Sequence, residues 1–97
     1  METWLFKISG IVQGVCFRSF IHRFVVGNIP KVQGYVKNCL DGTVEVLGYG
    51  EVDDLLKLEK ACRKGPPAAR VRGVIIQKNI DGQTVKEKLG NGFIISY

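Results

Sequence analysis

Two kinds of apolar periodicity follow one another along the chain and constrain its fold more than any other feature. Apolar residues at every second position predict β-strands, and apolar residues at steps of three and four predict helices. The pattern predicts strands over residues 3–12, 32–38, 43–48, 70–78 and 93–97. It predicts one helix from residue 17 up to a stop at Gly27-Asn28 and a second over residues 51–64.

The first strand and the first helix show the two patterns clearly. Trp4, Phe6 and Ile8 alternate with more polar neighbours, and some apolar residues on the other side favour a central strand. The helical stripe consists of Phe17, Phe20, Ile21, Phe24 and Val25. In the second helix the predicted apolar stripe consists of Val52, Leu55, Leu56 and Cys62, with Leu58 near its edge.

The order of these elements indicates the fold class. Asp41-Gly42 is a strong hairpin signal, so the second and third strands are predicted to pair antiparallel. The order β-α-β-β-α-β, with a short C-terminal strand added, predicts an α+β ferredoxin-like sandwich. We expect an antiparallel sheet with both helices on one face, and residues 1–97 as a single domain. Because this fold hosts many functions, the function has to be argued from a site.

The connection between the first strand and the first helix is a candidate anion site. Gly10 and Gly14 bracket it, and Arg18 lies where the helix begins. The backbone N–H groups of such a loop and of the first helical turn have no partner within the helix, and the helix dipole adds positive character. Arg18 adds a planar cation suited to phosphate oxygens, whereas a cation placed there without an anion would oppose the dipole.

Charge and cysteine content narrow the class of protein. The net charge of +5 favours anionic partners but does not distinguish a small phosphate from a nucleic acid or a lipid surface. Cys16, Cys39 and Cys62 occur singly, which argues against a disulfide framework and against a zinc site. We expect a cytoplasmic protein without a signal peptide, a membrane span or a bound metal.

Three stretches of the sequence resemble the acylphosphatase family. Gly-x-Val-Gln-Gly-Val-x-Phe-Arg at residues 10–18 resembles its first signature. Gly-Tyr-Val-Lys-Asn at residues 34–38, followed by Gly42, Val44 and Gly50, resembles the second. Residues 65–71 resemble the family's segment after the second helix, so the likeness covers essentially the whole chain.

The resemblance implies a ferredoxin-like sandwich that hydrolyses acyl phosphates to a carboxylate and inorganic phosphate without a metal or another cofactor. By the same resemblance, Arg18 matches the phosphate-binding arginine and Asn38 the asparagine that orients the attacking water. The matching phosphate cradle is the backbone of Gln13, Gly14, Val15, Cys16, Phe17 and Arg18. The implied partner is a small acyl phosphate, with phosphate or another small anion in the loop, and we expect a monomer.

Two other side chains near the loop have plainer interpretations. His22 could be a general base, but it lies on the polar side of the predicted helix, so we interpret it as a surface residue. Cys16 could be a nucleophile with a lowered pKa, but we interpret it as a packing or loop residue.

Two alternative functions remain open at this point. A non-catalytic phosphate- or nucleic-acid-binding module on the same fold would use exposed strand aromatics, for which Trp4 and Phe6 are candidates. Residues 43–47 carry no aromatic side chain, so we do not expect nucleic-acid binding. A domain that binds or channels an acyl phosphate inside a larger maturation enzyme is the second alternative, and we expect a freestanding protein instead.

Overall fold

The computed structural model describes residues 1–80 and 92–96. They form seven elements, which are β1 (Glu2–Ile11), α1 (Phe17–Asn28), β2 (Gln33–Asn38), β3 (Val44–Gly50), α2 (Val52–Lys64), β4 (Arg70–Lys78) and β5 (Phe93–Ser96). The predicted order is confirmed, and most boundaries agree to within a residue or two. Asp81-Gly82 is a further hairpin signal in the sequence, but these two residues lie outside the described residues, as does Tyr97 at the end of the last predicted strand.

The third strand is longer than its alternating pattern predicts. It extends to Gly50, because Tyr49 pairs with Gln33 of β2 on one side and Gly50 pairs with Glu2 of β1 on the other. Backbone pairing on both sides therefore continues the strand beyond the last clear apolar alternation.

The five strands form one sheet in the order β4-β1-β3-β2-β5. Each hydrogen-bonded pair among β1, β2, β3 and β4 is antiparallel, as predicted, and β1 lies in the interior of the sheet between β3 and β4. The fifth strand runs parallel to β2, with Gly34 beside Phe93 and Val36 beside Ile95. The predicted antiparallel sheet of four strands with a short C-terminal strand added is confirmed, and the added strand makes the complete sheet mixed. The sequence pattern of so short a strand carries no information on its direction.

The core lies between one face of the sheet and the two helices. Trp4, Phe6 and Ile8 are buried there, beneath buried residues of both helices. The helices contribute Phe17, Ile21 and Val25 from α1 and Leu55, Leu58, Ala61 and Cys62 from α2. This arrangement confirms the ferredoxin-like sandwich.

Two details of the helical stripes differ from the prediction. Leu58 is fully buried, whereas Leu56 and Val52 are exposed, so the stripe of α2 is rotated towards Leu58 and Ala61. Phe20 and Phe24 are only partly buried and pack at the edge of the core. In each helix, only some of the apolar residues are buried against the sheet.

The helices Phe17–Asn28 and Val52–Lys64 have 12 and 13 residues. Among residues 1–80 and 92–96, no helix has the length and apolar character needed to cross a bilayer.

Candidate active site

The connection between β1 and α1 has the backbone shape of an anion-binding loop. Gly14 and Cys16 both have left-handed backbone angles, with φ of 75° and 63°. Alternation of left-handed and ordinary residues turns successive N–H groups towards a common centre. Within the described part of the chain, the N–H groups of Gly14, Val15 and Cys16 donate no hydrogen bond to another backbone group. In the predicted cradle, these three N–H groups would be donors to the phosphate.

The first turn of α1 continues this concentration of positive character. That turn carries no acidic residue, and Cys16, the residue just before the helix, makes no side-chain cap. Arg18 is the second residue of the helix and is half-buried. A guanidinium at the positive end of a helix dipole is unfavourable unless an anion offsets the charge. The sequence prediction that Arg18 lies where the helix begins is confirmed.

Asn38 approaches the same place from a different part of the chain. It is the last residue of β2 and pairs with Val44 of β3. A cleft of about 300 Å³ separates it from the start of α1. The lining residues are Val12, Gly14, Cys16, Phe17, Arg18, Ser19 and Asn38. The fold thus brings Arg18, Asn38 and most of the predicted loop together.

Two of the predicted loop residues do not line this cleft. Val15 is partly buried against the hydrophobic core. The side chain of Gln13 points to the turn between β2 and β3, where its Nε2 donates to the carbonyls of Cys39 at 2.7 Å and Thr43 at 2.9 Å. Sequence reasoning placed Gln13 in the loop through its backbone and missed this role of its side chain. No local signal could have found it, because the partners lie 26 and 30 residues away.

The turn that follows Asn38 is stabilised by a compact set of polar contacts. Cys39 donates its N–H to the carbonyl of Thr43 at 2.8 Å. Asp41 accepts hydrogen bonds at Oδ1 from the Thr43 hydroxyl at 2.6 Å and from the Thr43 N–H at 3.0 Å, and its Oδ2 lies 3.0 Å from Lys7 Nζ. The contacts with Thr43, followed by the one with Lys7, hold the pKa of Asp41 well below its usual range.

The other candidate side chains from the sequence are His22 and the cysteines. His22 is half-buried, with its ring centroid 6.4 Å from that of Phe93, so it is not the solvated surface residue that we expected. It does not line the cleft. Cys16 is exposed, and the three cysteines are free. Among residues 1–80 and 92–96, no group of three or more His, Cys, Asp or Glu side chains could hold a metal ion.

A larger groove of about 620 Å³ lies on the helical side of the molecule. It runs between α1 and α2, with Phe20 and Phe24 on one helix and Lys57, Lys60 and Lys64 on the other. None of the predicted site residues lines it. The smaller cleft brings together the backbone of the loop, the half-buried cation of Arg18 and the side-chain amide of Asn38. We identify it as the candidate site because of these groups, although the groove is larger.

Comparison with known proteins links this cleft to a family. The family model described as acylphosphatase matches residues 4–95. A curated relative from Alkalilimnicola ehrlichii, named acylphosphatase, is 45% identical over 73 residues, which are 75% of this chain and 80% of that protein. One from Archaeoglobus fulgidus, also named acylphosphatase, is 46% identical over 71 residues, which are 73% of this chain and 78% of that protein.

Solved structures agree with the sequence comparisons. The crystal structure of acylphosphatase from Bacillus subtilis has a TM-score of 0.86, 30% identity and complete coverage of both chains. The structure of T. kodakarensis HypF has a TM-score of 0.70 and 33% identity, and it covers 86% of this chain but 11% of its own. By the family model and by these relatives, the chain belongs to the acylphosphatase family of hydrolases.

Proposed function

We propose that this chain hydrolyses small acyl phosphates to a carboxylate and inorganic phosphate, using its own side chains and backbone and no metal. The observation that carries the proposal is the meeting of Arg18, the β1–α1 loop and Asn38 at one cleft. Membership of the acylphosphatase family supports the reaction class. The roles of the individual residues follow from the chemistry that the reaction requires.

The substrate already contains a good leaving group, because an acyl phosphate is a mixed anhydride. A water oxygen forms a bond to phosphorus while the bond from phosphorus to the acyl oxygen breaks, and the acyl group departs as a carboxylate. One proton of the water passes to a phosphoryl oxygen of the substrate, and the other stays on the attacking oxygen. Catalysis then consists of positioning and of stabilising charge on the equatorial oxygens.

Arg18 and the loop bind the phosphoryl group. The guanidinium offers parallel donors and a permanent charge, and the N–H groups of residues 14–16 offer further donors that need no reorganisation. Phe17 and Val12 are buried beside them and make one wall of the cleft apolar. A low-dielectric wall strengthens the interaction between the phosphoryl oxygens and these donors.

Asn38 orients the water. Its side-chain amide has both a donor and an acceptor, so it can fix the direction of a water molecule without a change in its own charge. It stands across the cleft from the helix that carries Arg18, at the end of a strand that is paired to β3. This placement on a regular element supports a fixed geometry between water and phosphorus.

A nucleic-acid-binding function is not favoured. Trp4 and Phe6, the aromatic side chains that could have stacked on bases, are 2% and 0% exposed and face the helices.

We also propose that residues 1–97 act as one domain, as a monomer and in the cytoplasm. The three free cysteines are consistent with a reducing compartment.

The test is hydrolysis of benzoyl phosphate by the purified chain in water enriched in oxygen-18. Attack of water on phosphorus places one labelled oxygen in inorganic phosphate and none in benzoate. The proposal predicts this distribution, together with inhibition by inorganic phosphate that is competitive with the substrate. Label in benzoate would show attack at the carbonyl carbon and would contradict the roles given to Arg18 and Asn38.

A further inference from the structure

We infer that the side chain of Gln13 is a positioning residue, which fixes Asn38 relative to the phosphate cradle. This inference rests on the proposed function of the site. Gln13 Nε2 donates to the carbonyl of Cys39, the residue that directly follows Asn38, and to the carbonyl of Thr43 across the turn. One side-chain amide of the β1–α1 loop therefore joins the two parts of the chain that meet at the cleft.

The hydrogen-bonding capacity of the amide matches its surroundings. A glutamine NH2 group has two donors, and both have an acceptor here, at 2.7 Å and 2.9 Å. The Cys39 carbonyl also accepts from the N–H of Gly42 at 3.2 Å, and the Thr43 carbonyl accepts from the N–H of Cys39 at 2.8 Å. Each carbonyl has two lone pairs, so Gln13 supplies the second donor to each and completes the hydrogen bonding of the turn.

The position of these acceptors determines what Gln13 controls. Asn38 is the last residue of its strand, and directly after it the backbone is held across the hairpin by the hydrogen bond from the Cys39 N–H to the Thr43 carbonyl, the same carbonyl that Gln13 contacts. The turn is stabilised on its exposed side by Asp41, with Thr43 and Lys7. Gln13 stabilises the other side, from within the loop that forms the cradle. Its removal frees the turn to shift relative to the loop while β2 and β3 remain paired.

Glutamine is better suited than other residue types to donate to both carbonyls, those of Cys39 and Thr43. A glutamate would place a carboxylate against two carbonyl oxygens and would donate to neither. A methionine has a similar length and no donor, so it removes both hydrogen bonds and adds no charge. An asparagine keeps the amide but is one carbon shorter and could not hold both bonds in this geometry.

The first test is Gln13→Met with benzoyl phosphate as substrate and inorganic phosphate as inhibitor. We expect kcat to fall about 10- to 100-fold, because small misplacements in a reacting geometry reduce rates by such factors. The inhibition constant for phosphate should change by less than about threefold, since the cradle itself is intact. The matched control is Gln77→Met on the exposed edge strand, which should retain the wild-type kcat.

A double-mutant cycle separates a positioning role from a general loss of structure. If Gln13 acts through Asn38, then Gln13→Met should lower kcat little further in a protein that already carries Asn38→Ala. Additive losses would overturn the inference, as would a wild-type kcat for Gln13→Met. A rise in the phosphate constant in parallel with the loss of kcat would also overturn it, because Gln13 would then hold the cradle and not Asn38.

A second variant covers the case in which Gln13→Met does not fold. In Gln13→Glu, a protonated carboxyl can donate one hydrogen bond and an ionised one can donate none. The kcat of Gln13→Glu, relative to wild type, should therefore increase as the pH is lowered through the pKa of Glu. A ratio that stays constant with pH would overturn the inference. Absence of hydrolysis by the wild type would instead contradict the proposed function, so the two failures are distinguishable.

Discussion

Arg18 and Asn38 line one cleft of about 300 Å³, although one lies in the first turn of α1 and the other ends β2. Their meeting depends on the sheet order, in which β3 lies between β1 and β2. The loop after β1 and the turn after β2 therefore emerge at the same end of the sheet. The cleft brings together a cation, the backbone of the loop and a neutral amide, which are the groups that the proposed hydrolysis uses.

Replacement of Asn38 by alanine should affect turnover more than binding. Loss of an amide that orients water should lower kcat about 100-fold, while inorganic phosphate still binds with nearly wild-type affinity. Steady-state kinetics with benzoyl phosphate and inhibition by phosphate measure the two effects. The matched control is Asn28→Ala at the exposed end of α1, which should leave both constants unchanged. Equal losses in kcat and in phosphate affinity would show that Asn38 binds substrate and does not orient water.

Replacement of Gly10 by alanine should destabilise the protein severely. Gly10 has a φ of 122° and lies at a register shift between β1 and β4. A methyl group there would overlap the backbone carbonyl oxygen of Arg70. We expect the free energy of unfolding to fall by about 3 kcal/mol or more, measured by urea denaturation.

Gly27→Ala is the matched control for this substitution. Gly27 lies in α1 with nothing within 4 Å of an added methyl group. The substitution should be neutral or should stabilise the protein by up to about 1 kcal/mol, because alanine is the better helix former. Similar losses for the two variants would mean that the close approach of Gly10 to β4 is not the reason for the effect.

Asp41 should contribute to stability in a pH-dependent way. Its folded-state pKa is lowered by the Thr43 hydroxyl, the Thr43 N–H and Lys7. A group with a depressed pKa stabilises the folded state above its unfolded pKa, which is about 4 for a carboxyl, and this contribution is lost as the pH falls towards the folded value.

Asp41→Asn tests that pH dependence. The difference in urea midpoint between wild type and Asp41→Asn should be largest at neutral pH. It should shrink as the pH is lowered below about 4, where the unfolded wild type takes up a proton. A difference that is independent of pH over this range would mean that the charge of Asp41 makes no contribution.

The parts of the molecule that could be predicted from sequence are those with local signals. The order of strands and helices follows from apolar periodicity, and the start of α1 follows from the change of pattern after Gly14. The pairing of β2 with β3 follows from the Asp41-Gly42 turn. Arg18 was a candidate from the loop pattern itself, Asn38 was found by resemblance to the second signature, and the fold that brings them together was found by element order.

The remaining features depend on contacts between distant residues. The parallel direction of β5 is set by its pairing with β2, and neither strand encodes it locally. The burial of Leu58 in place of Leu56 depends on how α2 is rotated against the sheet. The contacts of Gln13 with Cys39 and Thr43 require the loop and the turn to be adjacent, which only the folded chain provides.

The most direct test of the account is hydrolysis of benzoyl phosphate in EDTA by wild type, Arg18→Ala and Arg23→Ala. Arg23 is the matched control, since it lies exposed in the same helix and donates its Nε to the carbonyl of Ser19 at 3.4 Å. We predict full activity for wild type and Arg23→Ala, and a loss of at least about 1,000-fold for folded Arg18→Ala. Substantial activity in Arg18→Ala, or none in the folded wild type, would contradict the account.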